Sequence, residues 1–150
     1  MLKLDNVTLL TLFWGDNDHS LNSIKSMQNC MNKISFGKKV IITDGESAKR
    51  HDDFIQKHNI KYIPMNTSIS SNLKDDTERE NFSSTFLQKL LDGVETEFCL
   101  NIQSDSTILD EDKWTDEFLE YDYIGAPWPE YILKTSHMCQ DKIKWFPNVV

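Results

Sequence analysis

The feature that most limits what this chain can fold into is an alternation: short runs of β-branched and aromatic residues take turns with stretches of helical period. Val7 to Phe13 (VTLLTLF), Val40 to Thr43 (VIIT), Ile60 to Ile63 and Glu97 to Ile102 (EFCLNI) are too short for helices and read as buried strands. After the first, Leu21, Ile24, Met27, Met31 and Ile34 recur at spacings of three and four, which predicts a helix from about Ser20 with Gly37 ending it. A short helix over Asp53 to His58 leads to the third strand, which Pro64 stops. Asn66 to Asp76 is polar and aperiodic. Thr77 and Glu80 then form a capping box, and Phe82, Phe86, Leu87, Leu90, Leu91 and Val94 mark one helix face, with Gly93 near its end. Strands alternating with helices predict a mainly parallel sheet with helices on both faces. A further short helix is expected near Trp114 to Leu119. The whole, residues 1–150, suits one domain.

Charge narrows the partners. Sixteen Lys and Arg against 24 Asp and Glu leave a formal net charge of −8, a poor basis for wrapping nucleic acid, which demands a basic face. No stretch has the eighteen or so consecutive apolar residues of a membrane span, and Met1 to Asn6 lacks the layout of a signal peptide. Cys30, Cys99 and Cys139 are odd in number and far apart. Cys30 and Cys99 fall in apolar surroundings and are expected to be reduced core residues, which makes a cytoplasmic setting the default.

Ligands of open α/β sheets sit beyond the carboxyl ends of the strands. Here those ends carry Trp14-Gly15-Asp16, Asp44-Gly45 and Gln103-Ser104-Asp105-Ser106. The five glycines form neither a dinucleotide fingerprint nor a Walker loop. In an acidic chain without such a loop, a diphosphate is best held through Mn²⁺ or Mg²⁺, which takes one or two carboxylates together with ligand phosphates. Asp105 is the candidate carboxylate, beside the amide of Gln103. Position alone also allows Asp105 and Asp44 to be ordinary turn residues and Trp14 to be a packing residue. The four histidines show no metal-ligand spacing and are expected on surfaces or loops.

From Phe82 to Trp128 the chain resembles a family of bacterial, viral and eukaryotic glycosyltransferase-like proteins. The pieces that carry the likeness are FSSTFLQKLL, FCLNIQSDSTIL, Trp114 and the long, unusual FLEYDYIGAPW. The N-terminal strand–helix–strand–Asp pattern is similar too. The resemblance implies a GT-A-like, Rossmann-type sheet that binds a nucleotide sugar, UDP- or GDP-linked, and passes the sugar to a glycan or other acceptor. In that fold an acidic D-x-D motif holds the metal. Gln103 replaces its first carboxylate here, so ligation would rest chiefly on Asp105.

By the same likeness Thr11, Phe13, Trp14 and Asp44 would line the nucleotide pocket. From its position Arg79 could approach a phosphate, though a solvated helix face is the commoner place for such an arginine. Trp128, in a rigid proline-flanked loop with Gly125 and Pro127, would floor the sugar or acceptor site. Family members continue into a glycine-rich segment after a stretch like FPNVV, whereas this chain stops at Val150. The expectation is therefore a donor-binding half lacking the usual C-terminal portion. Such a half would bind donor better than it transfers sugar, unless a homo-oligomer or second chain completes the site. The rival readings are a non-catalytic nucleotide-sugar-binding module and, less favoured, a nucleotidyltransferase.

Overall fold

The computed structural model describes residues 1–15, 17–65, 88–90, 92–122 and 124–125. The chain divides into two compact units, Met1–Trp114 and Thr115–Val150.

The first unit is built on a four-stranded sheet, all parallel. Strand β1 (Leu2–Leu12) is followed by helix α1 (Asp18–Lys33), strand β2 (Ile34–Thr43), helices α2 (Gly45–Arg50) and α3 (Asp52–Lys57), and strand β3 (Lys61–Pro64). Residues 88–90 and 92–93 are helical, and strand β4 (Phe98–Ile102) completes the sheet. The spatial order is β3-β2-β1-β4. The chain steps outward from β1 to β3, then jumps back past β1 to β4. Right-handed crossovers taken in opposite directions put their connections on opposite faces of a sheet.

The two faces are filled accordingly. Leu10 and Leu12 of β1, Val40 and Ile42 of β2, and Ile63 and Met65 form one buried cluster, against which Leu90 and Val94 lie. Gly93 lets that helical segment settle close: a Cβ there would meet Ile63 Cδ1 at 2.6 Å and Val40 Cγ1 at 3.3 Å. The alternate residues Leu9, Thr11, Phe13, Ile41 and Thr43 point to the other face, and all five are buried. There α1 packs on β1, β2 and β4. The expected alternation of four strands with helices on both faces is what the chain forms.

Local details differ from the sequence reading, each for a physical reason. The buried face of α1 is Ser20, Ser23, Ser26, Met27 and Cys30, while Leu21 is 45% exposed. Small side chains bring the helix close to the sheet, and their hydroxyls find local acceptors: Ser20 Oγ lies 2.8 Å from the carbonyl oxygens of both Trp14 and Gly15, which share its one proton, and Ser23 Oγ donates to that of His19 at 3.0 Å. Ile34 belongs to β2, which begins directly after Lys33.

Gly37 therefore ends no helix. It lies within β2, where the pairing with β1 shifts between Leu4 and Thr8, and a Cβ on it would fall 1.9 Å from the Asp5 carbonyl oxygen. Helix α2 reads in the sequence only as the Asp44-Gly45 turn, since it buries just Ser47 and Ala48 and so carries no apolar stripe. Pro64 closes β3 from inside, which a strand at the sheet edge, as β3 is among the described residues, tolerates.

Cys30 is buried as expected. Cys99 is exposed, since β4 lies at a sheet edge among the described residues, yet enough protein surrounds its sulfur for desolvation to push the thiol up to about 11. The capping box at Thr77 and Glu80, with Phe82, Phe86, Leu87 and Leu91, lies outside the described residues.

Beyond β4 the chain makes two 3-10 turns, Glu111–Lys113 and, within the second unit, Asp116–Glu120. The helix expected near Trp114 to Leu119 takes this tighter form. Tyr121 and Ile124 are exposed large side chains of the second unit. No helix among the described residues is long and apolar enough to cross a membrane.

Candidate functional site at the sheet's switch point

The order β3-β2-β1-β4 reverses direction between β1 and β4. Loops leaving the carboxyl ends of two such strands diverge to opposite faces, which opens a crevice between them. Thr11 pairs with Ile102 at the end of the β1–β4 ladder, so the next residues on each side are those of this crevice. They are Trp14-Gly15 from β1 and Gln103-Ser104-Asp105-Ser106 from β4. Sequence positions about 90 apart thus meet.

Thr11 and Phe13 lie beneath the crevice rather than in it. Both are wholly buried: Thr11 Oγ1 donates to the Ile102 carbonyl at 3.0 Å, and Phe13 meets the His51 ring edge-on at 5.6 Å between centroids. Trp14 is half-buried, resting against the Leu10–Ile42 cluster, with its ring 6.0 Å from that of His19.

Asp44 caps α2 and does more than close a turn. Its Oδ1 accepts from the amides of Glu46 at 3.0 Å and Ser47 at 2.9 Å. Its Oδ2 accepts from Ser47 Oγ at 2.6 Å and, across the loops, from the Gly15 amide at 2.9 Å. Partial burial by itself would raise the carboxyl pKa. The hydrogen bonds from Ser47, Gly15 and Glu46 together outweigh it and hold the group down at about 2. Ser47 Oγ also lies 3.2 Å from the Gly15 carbonyl oxygen, and Gly15 takes φ of +72°, a conformation natural to glycine. The Trp14-Gly15 corner is thus fixed from both sides.

The turn after β4 is held differently. Ser106 N donates to the Gln103 carbonyl at 3.2 Å, and the Gln103 amide donates to Ser106 Oγ at 2.6 Å. Gln103 and Asp105 are exposed. Ser104 Oγ and His19 Nδ1 are 2.6 Å apart, which joins this turn to the first turn of α1. Among the described residues no three or more His, Cys, Asp or Glu side chains gather as a metal cage. The oxygen donors of Asp105 and Gln103 do suit a hard divalent cation that brings most of its ligands with a diphosphate.

Beside the Asp44 cap lies an open cavity of about 500 Å³ lined by Gly45, Ala48, Lys49, Asp52, Ile55, Gln56 and Tyr62. Burial, and after it the Asp44 charge, raises the Tyr62 phenol pKa, which places that ring within reach of the carboxylate's field. This cavity shares no lining residue with the β1/β4 crevice.

Residues 57–146, more than half of the chain, match the family described as "Protein of unknown function (DUF5672)". The chain belongs to that family. No curated protein and no solved structure matches it.

Of the residues singled out from sequence, Trp14, Gln103 and Asp105 come together at the family member's switch point, and Asp44 holds the adjoining corner. Arg79, Pro127 and Trp128 lie outside the described residues, and Gly125 is exposed in the second unit. Sequence reasoning passed over His19, Ser20 and Ser47. Asn17 with Ser20 and Asp44 with Ser47 have the spacing of helix N-caps, a signal that would have revealed both corner-fixing serines. Nothing in the sequence pairs His19 with Ser104, 85 residues away.

Proposed function

We propose that this chain binds a nucleotide-diphosphate sugar and takes part, as a GT-A-like glycosyltransferase, in passing the sugar to a glycan or other acceptor. The observation that carries the reading is the convergence of Trp14, Gln103 and Asp105 at the switch point of a parallel sheet, where α/β folds place their ligands. The likeness of the FCLNIQSDSTIL and YDYIGAPW segments to glycosyltransferase-like proteins supplies the chemistry.

A divalent cation, Mn²⁺ or Mg²⁺, would be held by Asp105 with Gln103 assisting, and bound there it would neutralise charge on the departing diphosphate. Trp14, half-buried at the crevice, would stack on a base or a sugar ring, its backbone corner held by the Asp44–Gly15–Ser47 bonds. The protein's part is position and field more than covalent chemistry. Cysteines outside any disulfide among the described residues suit a cytoplasmic setting.

Titration calorimetry with UDP- and GDP-sugars, with and without Mn²⁺, tests the reading, with product formation followed in parallel. Mn²⁺-dependent binding is expected, weakened about tenfold or more by Asp105→Asn. Turnover by the chain would exclude the non-catalytic binding module. If no nucleotide sugar binds, or Asp105→Asn binds as the parent does, the proposal is wrong.

A further inference from the structure

From Ser104 to Glu111 the chain runs back along α1 and touches it at three levels. Ser104 Oγ meets His19 Nδ1 at 2.6 Å in the helix's first turn, Thr107 Oγ1 lies 4.0 Å from Cys30 Sγ, and Lys33 in the last turn donates to the Leu109 carbonyl. Lys33 also pairs with Glu111 at 3.5 Å. The segment is a strap fastened along the helix, and its fastening nearest the crevice is His19.

That fastening sits beside the one carboxylate of the turn. Asp105 follows Ser104 directly, and the turn's own bonds, Ser106 N to Gln103 O and Gln103 N to Ser106 Oγ, close it on itself without anchoring it to α1. Of the hydrogen bonds that Gln103 to Ser106 make through their side chains, the one to His19 reaches another element among the described residues. His19 is itself steadied. It stands one turn before Ser23, whose hydroxyl bonds its carbonyl at 3.0 Å, and its ring leans on that of Trp14.

We infer that His19 is a positioning residue: through Ser104 it holds the 103–106 turn, and with it Asp105, at a fixed distance from the Trp14 corner. This rests on the proposed function for its consequence, the binding of a metal–diphosphate, but not for the hold itself. Trp14 and Asp105 come from strands on the two sides of the crevice, and a ligand spanning them needs their separation set before it arrives. His19 touches both sides, Trp14 by its ring and Ser104 by its nitrogen.

Two measurements on the full chain separate the hold from the function. The first is amide hydrogen exchange, followed by mass spectrometry without ligand, in His19→Ala, Ser104→Ala and His19→Asn. The alanine variants should speed exchange in peptides covering 103–109 several-fold while leaving those of β1 and β2 unchanged. His19→Asn, whose amide can occupy the place of Nδ1, should restore most of the protection. Unchanged exchange in both alanine variants overturns the inference, and so does equal exchange in the alanine and asparagine variants. The second is calorimetric titration of Mn²⁺ with UDP. A Kd raised about three- to tenfold by His19→Ala and recovered in His19→Asn supports the positioning role, whereas an unaltered Kd overturns it. If the parent chain shows the exchange pattern but binds no Mn²⁺–nucleotide, the proposed function fails while the hold stands.

Discussion

Two loops face the same crevice and are built to opposite standards. The corner after β1 is bound into its surroundings: the Asp44 carboxylate takes the Gly15 amide, and Ser20 and Ser47 hydroxyls engage the Trp14 and Gly15 carbonyls. Among the described residues, the turn after β4 relies on Ser106 for its own closure and on one bond to His19 for its placement. The difference tracks burial. Ser20 and Ser47 are each 1% exposed, so their bonds form where water competes poorly, whereas Gln103 and Asp105 stand in solvent. An aromatic platform gains from rigidity, because its ordering is complete before a ligand arrives. Asp105, if it shares a cation with a diphosphate, has its distance from that platform set through the His19–Ser104 contact rather than by a web of bonds of its own.

If that contrast holds, changes in the first loop should cost stability and changes in the second should cost binding. Asp44→Ala removes the acceptor for four donors at once and should destabilise the chain by about 2 kcal/mol, read by urea denaturation. The same carboxylate predicts a pH dependence. Its folded pKa of about 2 lies below the ordinary 3.8, so its contribution is complete above pH 4 and fades as pH falls toward 2. With partial solvent exposure that contribution is on the order of 1–2 kcal/mol. Denaturation midpoints of the parent should therefore converge on those of Asp44→Ala across this window, and parallel curves would break the assignment.

Gly15→Ala forces a side chain into φ of +72° although the space is open, with Asn17 Nδ2 at 3.4 Å, and should cost roughly 1–2 kcal/mol. A neutral effect would show that the corner relaxes and is less fixed than its bonds suggest. In the second loop, Ser106→Ala loses one exposed turn bond and should cost about 0.5–1 kcal/mol. Smallest of all, Asp105→Asn should leave the thermal midpoint nearly unchanged, within about 0.5 kcal/mol, as exposed substitutions generally do. A loss of several kcal/mol there would make Asp105 a structural residue and erase the contrast between the loops.

The family match over residues 57–146 includes the turn after β4 but not the corner after β1. A likeness confined to that span would therefore carry Gln103 and Asp105 without the loop that faces them. The pairing of the two is a matter of strand order.

What the sequence determined by itself is the set of pieces. Apolar runs of four to seven β-branched and aromatic residues made strands wherever they occurred, and the helical period before Ile34 made a helix, because each signal is local and repeated. The polar strand ends were equally legible, so Trp14, Asp44 and Asp105 stood out. The buried face of α1 was legible at Met27 and Cys30, both buried as their apolar spacing suggested, but not toward the helix's start, where the approach to the sheet took Ser20 and Ser23 and left Leu21 exposed. A short side chain at Ser20 lets the helix approach closely and its hydroxyl reach the Trp14–Gly15 corner, which a leucine there would not. Gly37 reads as a helix stop in sequence, but it lies within β2 with the Asp5 carbonyl against it. The tertiary structure alone decided that β4 lies beside β1, and so that His19 meets Ser104 and Asp105 shares a crevice with Trp14. Periodicity records which way a side chain faces within its own element. It carries no information about which distant element comes to lie alongside, and that choice is made by the packing of the whole sheet.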